Sequence, residues 1–402
     1  MSFLWGKGRG AASYLAVRPA QISSELDPDP ALPLSRSAHA MGGVPRWIGI
    51  VPYECRRQDL EQQPGRSWSD GREAPHVSSP VWQRYGAVAR IADRVHVVGD
   101  DAAAVSELVR LLSRPTPLDR PSASLRQRGR PEADAVHQAR IEQALESIAA
   151  GELYQVNLAR RLDFSLSGSQ LSFLEDLSRR GDAAYGALLE LPKLSVISNS
   201  PELLLSLGSD ASLKTVPIKG TRPRGADAAA DRALAEELER DPKERAELAM
   251  VVDVERNDLG RIAEIGSVRV VGKPQVSTHR AVHHRGCAIS ARLRKGVSRS
   301  ELLRAMLPSG SVTGAPKRRA MERIAELEAA RRGLYTGGIG YLGHDGGLTL
   351  SMAIRTCTVN NGEAHYFAGG GIVIDSDALA EVRETNWKAL QLAALTNPED
   401  RK

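Results

Sequence analysis

The stretch GEAHYFAGGGIVIDSDALAEVRETNWKALQLAAL, residues 362–395, joins two kinds of secondary structure in one segment. Its first half predicts a strand, and its second half predicts a helix that is capped by Ser376 or Asp377 and runs to about residue 395. A further strand is predicted over LTLSMAIRTCTV, residues 348–359. Because strands and helices are mixed without regular alternation, the sequence favours an α+β fold over a doubly wound parallel sheet.

The upstream segments extend this pattern. DPKERAELAMVVDVERNDLG, residues 241–260, predicts a helix with Asp241 as N-cap and Pro242 at the first helical position. AVHQARIEQALESIAAG predicts a helix that closes at Gly151, and LYQVNLARRLDFSL, residues 153–166, then alternates as a strand does.

Three regions are predicted along the chain. Residues 1–112 form a small N-terminal α+β region, with a strand at RWIGIVPYECR and a strand, turn and helix at RVHVVGDDAAAVSELVRLLSR. Residues 113–134 are rich in Pro, Ser and Arg and predict a linker or exposed loop. Residues 135–402 form the main domain, which carries the sharper motifs.

Composition excludes several classes of function. The net charge is +5, aromatic residues make up 4% of the chain, and no basic tract is interleaved with aromatics, so no nucleic-acid partner is expected. No apolar stretch is long enough to span a bilayer and no signal pattern is seen, so no membrane association is expected. The three cysteines, Cys55, Cys287 and Cys357, lack disulfide or zinc spacing, which indicates a reducing cytoplasm.

Three short motifs are rejected as sites. GGIGYLG, residues 337–343, has dinucleotide-binding spacing but is followed by a predicted strand, and GSVTGAPK, residues 310–317, lacks the ending of a phosphate loop. The histidines of STHRAVHHRG, residues 277–286, have no zinc-site spacing, so a buried and hydrogen-bonded histidine is the better interpretation.

Two pairs of carboxylates lie three residues apart on predicted helices. Glu244 and Glu247 share one helix face, and Glu381 and Glu384 share another. If the two faces meet, four carboxylates surround one spot, which is costly unless a cation such as Mg²⁺ is bound there. Spacing alone also fits a capping box and solvated helix faces.

The segment TVPIKGTRPRG, residues 215–225, leaves two interpretations open. Lys219 lies in a basic and solvated loop, or it is a reactive amine inside a pocket that binds anions.

Residues from about 135 to 395 resemble the chorismate-utilising enzymes, whereas the first 130 residues match weakly. The resemblance rests on nine blocks in the family's order, namely LYQVNLARR, SPELLL, PIKGTRPRG, ERAELAMVVDVERNDLGR, AVHH, SGSVTGAPKRRAME, RRGLYTGGIGYLG, SMAIRTCTV and AGGGIVIDSDALAEVRETNWKAL. It implies a chorismate-binding fold, in which stacked antiparallel sheets are covered by helices and a central active-site cleft holds chorismate with Mg²⁺.

The same resemblance implies roles for individual residues. Glu247 and Glu384 would bind Mg²⁺ directly, while Glu244 and Glu381 would bind it through water or support those ligands. Glu202 would be the general acid that protonates the departing 4-hydroxyl. The implied substrate contacts are Tyr335, Arg355 and Lys388 at the carboxylates, Gly220, Thr221 and His284 around the ring, and Gly369, Gly370 and Gly371 along the backbone. Where relatives commonly carry Leu-Val-Ser, this chain has Arg285-Gly286-Cys287.

Two positions bear on the reaction. Anthranilate synthases usually carry Ala at the position of Lys219, whereas aminodeoxychorismate synthases carry a lysine proposed to attack C2 of chorismate. That amine must be unprotonated, which calls for a dry pocket or for cationic neighbours such as Arg222 and Arg224. Isochorismate and salicylate synthases activate water with a lysine at the position of Gln155, and glutamine cannot be that base.

The resemblance therefore predicts component I of an aminodeoxychorismate synthase, which forms 4-amino-4-deoxychorismate for para-aminobenzoate and folate biosynthesis. The alternatives are component I of anthranilate synthase and a degenerate subunit that only binds or regulates. No cysteine lies in a nucleophile-elbow setting, so a glutaminase (amidotransferase) subunit is the expected source of ammonia.

Overall fold

The computed structural model describes residues 1–6, 12–35, 43–55, 72–114, 121–129, 132–180 and 183–393. The strands are β1 Ser2–Gly6, β2 Ser13–Ala16, β3 Gln21–Ser23, β4 Pro45–Val51, β5 Val81–Arg84, β6 Ala87–Ile91, β7 Val95–Gly99, β8 Ser124–Gln127, β9 Gln155–Ser167, β10 Tyr185–Leu191, β11 Leu194–Ser200, β12 Leu203–Leu207, β13 Ser212–Val216, β14 Ile218–Pro223, β15 Arg269–Thr278, β16 Val282–Arg292, β17 Gly314–Ala315, β18 Gly338–Gly343, β19 Leu348–Met352, β20 Thr356–Asn360 and β21 Glu363–Val373. The helices are α1 Ala102–Leu112, α2 Asp134–Ala149, α3 Gln170–Arg180, α4 Ala228–Arg240, α5 Pro242–Gly260, α6 Arg299–Met306, α7 Lys317–Leu327 and α8 Ala378–Ala393, with a 3₁₀ turn at Gly310–Val312.

The strands form two large antiparallel sheets. In the first sheet the order is β17-β9-β21-β20-β11-β10-β1-β2-β6-β7, and β8 pairs with β9. In the second sheet the order is β14-β16-β13-β12-β19-β18-β4-β5-β3, and β15 pairs with β16. The α+β fold of stacked antiparallel sheets and covering helices is therefore confirmed.

An apolar layer joins the two sheets. Ile48 and Ile50 of β4 and Ile339 of β18 come from the second sheet, and Leu189 of β10 and Val196 of β11 come from the first. All five side chains are buried in one cluster. Burying an aliphatic side chain of this size contributes roughly 1.5–3 kcal/mol, so this layer holds the sheets face to face.

Helices α5 and α8 carry the two carboxylate pairs to the cleft. The side chain of Asp241 accepts a hydrogen bond from the Glu244 amide and Pro242 occupies the first turn, so the predicted start of α5 is confirmed. Helix α5 buries Leu248 and Val252 against the second sheet, while α8 packs on β21 of the first sheet.

The described part of the predicted linker is not a free loop. Within 113–134, Leu125 of β8 is buried and its strand pairs with β9. Strands of the N-terminal region also enter both sheets, because β1 pairs with β10 and β4 with β18. Residues 115–120 and 130–131 lie outside the described residues.

Other expectations agree closely with the structure. GGIGYLG forms β18 and leads to β19, as the rejection of a dinucleotide site requires. Helix α2 ends at Ala149, and Gly151 follows with φ +77°, the left-handed conformation common after helices. In the described ranges, no helix combines the length and the apolar character needed to cross a bilayer.

A buried ion pair ties the first sheet to the loops beside the cleft. Arg332 and Glu328 are 2% and 4% exposed, and Arg332 Nη2 lies 2.6 Å from Glu328 Oε1. Glu328 Oε1 also accepts the Ala159 amide of β9. Arg332 donates to the carbonyl oxygens of Val312 and Asn157. Removing either charge would therefore leave the other buried without a partner.

We predict that Glu328→Gln lowers the free energy of unfolding by about 3–5 kcal/mol, because an unpaired buried guanidinium remains. Denaturant unfolding followed by circular dichroism measures the effect. Glu236→Gln is the matched control, since Glu236 and Arg240 form a pair with exposed side chains, and its unfolding midpoint should not move measurably. Equal effects of the two substitutions would contradict a structural role for the buried pair.

Candidate active site

A cavity of about 310 Å³ lies between β14, β21, α5 and α8. Every predicted site residue lines it except Gln155 and Gly370. Those that line it are Glu202, Lys219, Gly220, Thr221, Glu244, Glu247, His284, Tyr335, Arg355, Gly369, Gly371, Glu381, Glu384 and Lys388. Sequence segments far apart in the chain are therefore brought to one cleft.

A β-bulge directs Lys219 into this cavity. The pairing of β14 with β16 shifts register between Ile218 and Thr221. Gly220 has φ +84°, and a Cβ there would lie 2.7 Å from Leu238 Cδ1. Only glycine fits this left-handed and crowded position without strain. Lys219 therefore lies in a bulged strand and not in a solvated loop.

The Lys219 amine lies next to the backbone of Gly371. A Cβ on Gly371 would lie 3.1 Å from Lys219 Nζ and 2.9 Å from Gln155 Nε2. Gln155 therefore lies behind the cavity wall and close to the lysine. Its side chain is fully buried, and neither its Oε1 nor its Nε2 has a hydrogen-bond partner within the protein.

Arg222 and Arg224 are held by carboxylates. Arg222 Nη2 lies 2.7 Å from Asp241 Oδ2, and its Nη1 lies 3.3 Å from Glu244 Oε1. Arg224 Nε lies 2.7 Å from Asp231 Oδ1. Their charges are balanced locally, so the expectation that they act on Lys219 as cationic neighbours finds no support in these contacts.

Glu202 is a buried carboxyl that lines the cavity together with Lys219. It is 5% exposed, and its Oε1 accepts a hydrogen bond of 2.9 Å from Ser311 Oγ. Burial raises the pKa of Glu202 to about 7, against the opposing effects of Ser311 and Lys219. A carboxyl with this pKa is substantially protonated near neutral pH and can donate a proton.

The faces of α5 and α8 meet, which the carboxylate spacing alone had left open. Lys243 Nζ lies 3.8 Å from Glu247 Oε1 on α5 and 3.4 Å from Glu381 Oε1 on α8. Lys388 Nζ lies 2.7 Å from Glu384 Oε1. Burial raises the pKa of Glu247, whereas at Glu384 burial is outweighed by Lys388 and the pKa is lowered. Lysines thus balance this acidic cluster.

The donor set fits Mg²⁺. All four groups are carboxylates on opposite walls, and oxygen ligands suit this hard cation. Among the described residues, three donor atoms within 4.8 Å of one another occur only at His76, Glu363 and His365. The four glutamates are spread more widely, and Mg²⁺ usually retains several waters, which would complete such a shell.

The opposite end of the cavity is cationic and aromatic. Arg355 lines it, and none of the ion pairs found among the described residues includes this guanidinium. Burial lowers the pKa of Arg355. Tyr335 stacks on Phe367 with ring centroids 5.1 Å apart. An anionic ligand would therefore supply the countercharge that Arg355 lacks.

His284 is a neutral member of the wall. It is 3% exposed, and its Nδ1 lies 3.0 Å from Thr221 Oγ1. Burial, and next the charge of Arg355, lowers the pKa of His284 to about 3. Its neighbour His283 bonds to Thr278 and Asp231. His283 and His284 are thus buried and hydrogen-bonded, which is the interpretation that the sequence favoured over a zinc site.

Several other positions differ from the expectation. Gly370 faces Glu381, since a Cβ there would lie 3.0 Å from Glu381 Oε2. The Lys388 amine also donates to the Gly369 carbonyl oxygen at 2.8 Å. None of Arg285, Gly286 and Cys287 lines the cavity, so this departure from the family pattern lies off its wall.

The lining residues that were not predicted as site residues include Asn157, Lys243, Ser311 and Trp387. Three had a signal in the sequence. Asn157 follows Gln155 by two residues on one strand face, Lys243 precedes Glu247 by one helical turn, and Ser311 lies in the rejected GSVTGAPK motif. The exposed Trp387 had no such signal.

Comparison with known proteins identifies the family. The chain belongs to the chorismate binding enzyme family, whose model matches residues 13–394. A solved structure of anthranilate synthase component I from Streptococcus pneumoniae TIGR4 is similar, with a TM-score of 0.80 and 30% identity, over 97% of this chain and 93% of that one.

Two kinds of curated relative match at similar identity. Aminodeoxychorismate synthase component 1 of Escherichia coli is 44% identical over 246 residues, which are 61% of this chain and 54% of that protein. Anthranilate synthase component 1 1 of Haloarcula marismortui is 42% identical over 261 residues, 65% of this chain and 53% of that protein. These matches span about half the length of each relative.

We predict that Gly371→Ala lowers chorismate turnover by roughly a hundredfold, because its methyl group displaces Lys219 and Gln155 by a fraction of an ångström. Steady-state kinetics and thermal unfolding are the measurements. Gly260→Ala is the control, since a Cβ at Gly260 meets nothing within 4 Å. Wild-type kinetics for Gly371→Ala would show that turnover does not depend on the close contact of Lys219 and Gln155 with this glycine.

Proposed function

We propose that this chain transfers ammonia to C4 of chorismate and forms 4-amino-4-deoxychorismate, the reaction of component I of aminodeoxychorismate synthase. The observation that carries the proposal is the Lys219 amine, which enters the cavity from the β14 bulge and ends beside Gly371. Gln155 supports it, because a buried amide at that position offers no base to activate water.

The proposed mechanism uses Glu202 and Lys219 in turn. Glu202 donates its proton to the 4-oxygen of chorismate, which leaves as water while the unprotonated amine of Lys219 bonds to C2. Ammonia then attacks C4, the bond between C2 and the lysine nitrogen breaks, and the ammonia nitrogen releases one proton. The pKa of about 7 for Glu202 allows it to hold the first proton near neutral pH.

The remaining cavity residues bind the substrate. Arg355 and Tyr335 would bind the carboxylates of chorismate, and neutral His284 with Thr221 would lie beside the ring, since all four residues line the cavity. Glu247 and Glu384 would bind Mg²⁺ directly, supported by Glu244 and Glu381. The cation, when bound, supplies positive charge to the ring carboxylate.

A glutaminase subunit is the proposed source of ammonia. Burial raises the pKa of Cys287, and it raises the pKa of Cys357 to about 12, so neither thiol ionises readily. None of the three cysteines lines the cavity. The relatives named as component 1 agree with a second component. Cytoplasmic localisation is proposed with it, because thiols remain reduced in that compartment.

Anthranilate synthase activity is the second candidate, because relatives with that name match at similar identity. It places the ammonia nitrogen at C2 and expels pyruvate. A third possibility, a subunit that binds chorismate without turnover, is disfavoured by the complete set of acid, lysine and carboxylates in one cavity.

We predict that the purified chain, given chorismate, Mg²⁺ and ammonium, makes 4-amino-4-deoxychorismate, identified by mass spectrometry. Glutamine should replace ammonium only when a glutaminase subunit is added. Lys219→Ala should lose most of this product while still binding chorismate, because the nucleophile is removed and the other contacts remain.

Lys214→Ala is the matched control, since Lys214 is an exposed lysine on β13, the strand that precedes β14 in the sequence. Anthranilate as the wild-type product would establish the second candidate instead. A wild-type rate in Lys219→Ala would reduce the lysine to a binding residue, and absence of any turnover would favour the third possibility.

We predict that Mg²⁺ is required and that Glu247→Gln abolishes turnover, because a ligand is lost from the carboxylate cluster. Mg²⁺ titration followed by calorimetry should show weakened binding in the same variant. Glu239→Gln on α4 is the control, since Glu239 is exposed. Undiminished activity in excess EDTA would contradict the metal site.

A further inference from the structure

A row of four buried side chains leads from Glu202 away from the cavity. Glu202 Oε1 lies 2.9 Å from Ser311 Oγ, which lies 2.9 Å from Ser309 Oγ, which lies 2.5 Å from Glu255 Oε1. Glu255 has no exposed surface, and the two serines are 3% and 2% exposed. The row therefore joins the proposed acid to a second carboxyl that the mechanism does not use.

The 3₁₀ turn fixes the two serines. Ser309 is its N-cap and accepts a hydrogen bond of 3.1 Å from the Ser311 amide. The Gly310 amide donates to Glu255 Oε1 at 2.9 Å. Backbone geometry thus holds both hydroxyls between the carboxyls, so the row is built into the fold.

The number of hydrogens in this row is constrained. Three oxygen–oxygen contacts need three hydrogens, and each serine hydroxyl supplies one. The third must come from a carboxyl at one end. With both carboxyls ionised one contact lacks a hydrogen, and with both protonated there is one hydrogen too many. The row is fully satisfied when Glu202 and Glu255 hold one proton between them.

The surroundings of Glu255 favour such sharing. Its Oε2 is buried without a hydrogen-bond partner within the protein, which is costly for a charged carboxylate. The charged groups that face Glu255 are Lys317 and Asp258, which are themselves ion-paired. On the other side, Lys219 faces Glu202. Because Asp258 already balances the charge of Lys317, a proton shared within the row avoids a second buried negative charge.

We propose that Glu255 is a positioning residue for catalysis, which shares one proton with Glu202 through Ser309 and Ser311 and so loads the acid. When the shared proton lies on Glu255, Glu255 protonates Ser309, Ser309 protonates Ser311, Ser311 protonates Glu202, and Glu202 gives this proton to the leaving oxygen. Both carboxyls are then ionised until the proton released by the ammonia nitrogen returns to the row.

This inference rests on the proposed role of Glu202, and its pH dependence has a definite sign. The negative charge of Glu255 raises the pKa of Glu202. In E255Q that negative charge is absent, so it no longer opposes the ionisation of Glu202. The pKa of Glu202 should then fall, and activity should decline at lower pH than in the wild type.

The kinetic test compares E255Q, S311A and the double variant. We expect kcat to fall by about tenfold or more in each with little change in KM, since proton transfer is impaired while binding is not. The descending limb of the pH profile should move to lower pH in E255Q. The double variant should be no slower than the slower single variant, because both cut one row.

Independent, multiplying losses or an unchanged pH profile in E255Q would overturn the proposal. S198A is the matched control, since Ser198 forms a buried hydroxyl pair with Thr356 that does not line the cavity. It should keep the wild-type pH profile. Thermal unfolding of each variant separates lost proton transfer from lost folding.

Infrared spectroscopy of the wild-type protein without chorismate tests the shared proton apart from any reaction. A buried protonated carboxyl band should persist at neutral pH, shift in S309A and S311A, and remain unchanged in S198A. Absence of the band in the wild type would refute proton sharing even if the amination reaction is confirmed. Conversely, a failed amination assay would leave the infrared result standing.

Discussion

The guanidinium group of Arg332 is buried, so its N–H groups need hydrogen-bond acceptors within the protein. These acceptors lie on separate segments of the chain. Glu328 balances its charge, Asn157 offers a carbonyl oxygen from β9, and Val312 offers one from the 3₁₀ turn. The guanidinium also lies 5.5 Å from the centre of the Tyr335 ring. One buried charge therefore sets the positions of three walls of the cleft, including the turn that carries Ser311.

The cleft is lined by charged side chains of both signs. Its carboxylates on α5 and α8 are paired with lysines, and Lys243 bridges the two helices. Arg355 lacks such a partner among the described residues and lies at the other end, where the aromatic rings are. A ligand that carries carboxylates would therefore suit both ends, because one carboxylate would neutralise Arg355 and another would contact any cation that the glutamates bind.

Sequence reasoning succeeded where local chemistry determines structure. The start of α5 follows from Asp241 and Pro242, and the shared helix face of each carboxylate pair follows from three-residue spacing. Sequence reasoning was limited where pairing with a distant strand determines the secondary structure. Residues 124–127 have a largely polar sequence and form a strand because they pair with β9. The burial of Glu255 was also beyond reach, because a glutamate in an amphipathic helix ordinarily faces water.

The position of Lys219 shows why one side chain cannot specify the chemistry alone. Its reach into the cavity depends on a register shift in β14, which depends in turn on the left-handed Gly220. Its endpoint depends on the missing side chain of Gly371, which also admits the buried amide of Gln155. A lysine placed on a regular strand without these glycines would point elsewhere or clash. The position of the Lys219 amine is therefore determined by the bulge and by the glycine of β21 together.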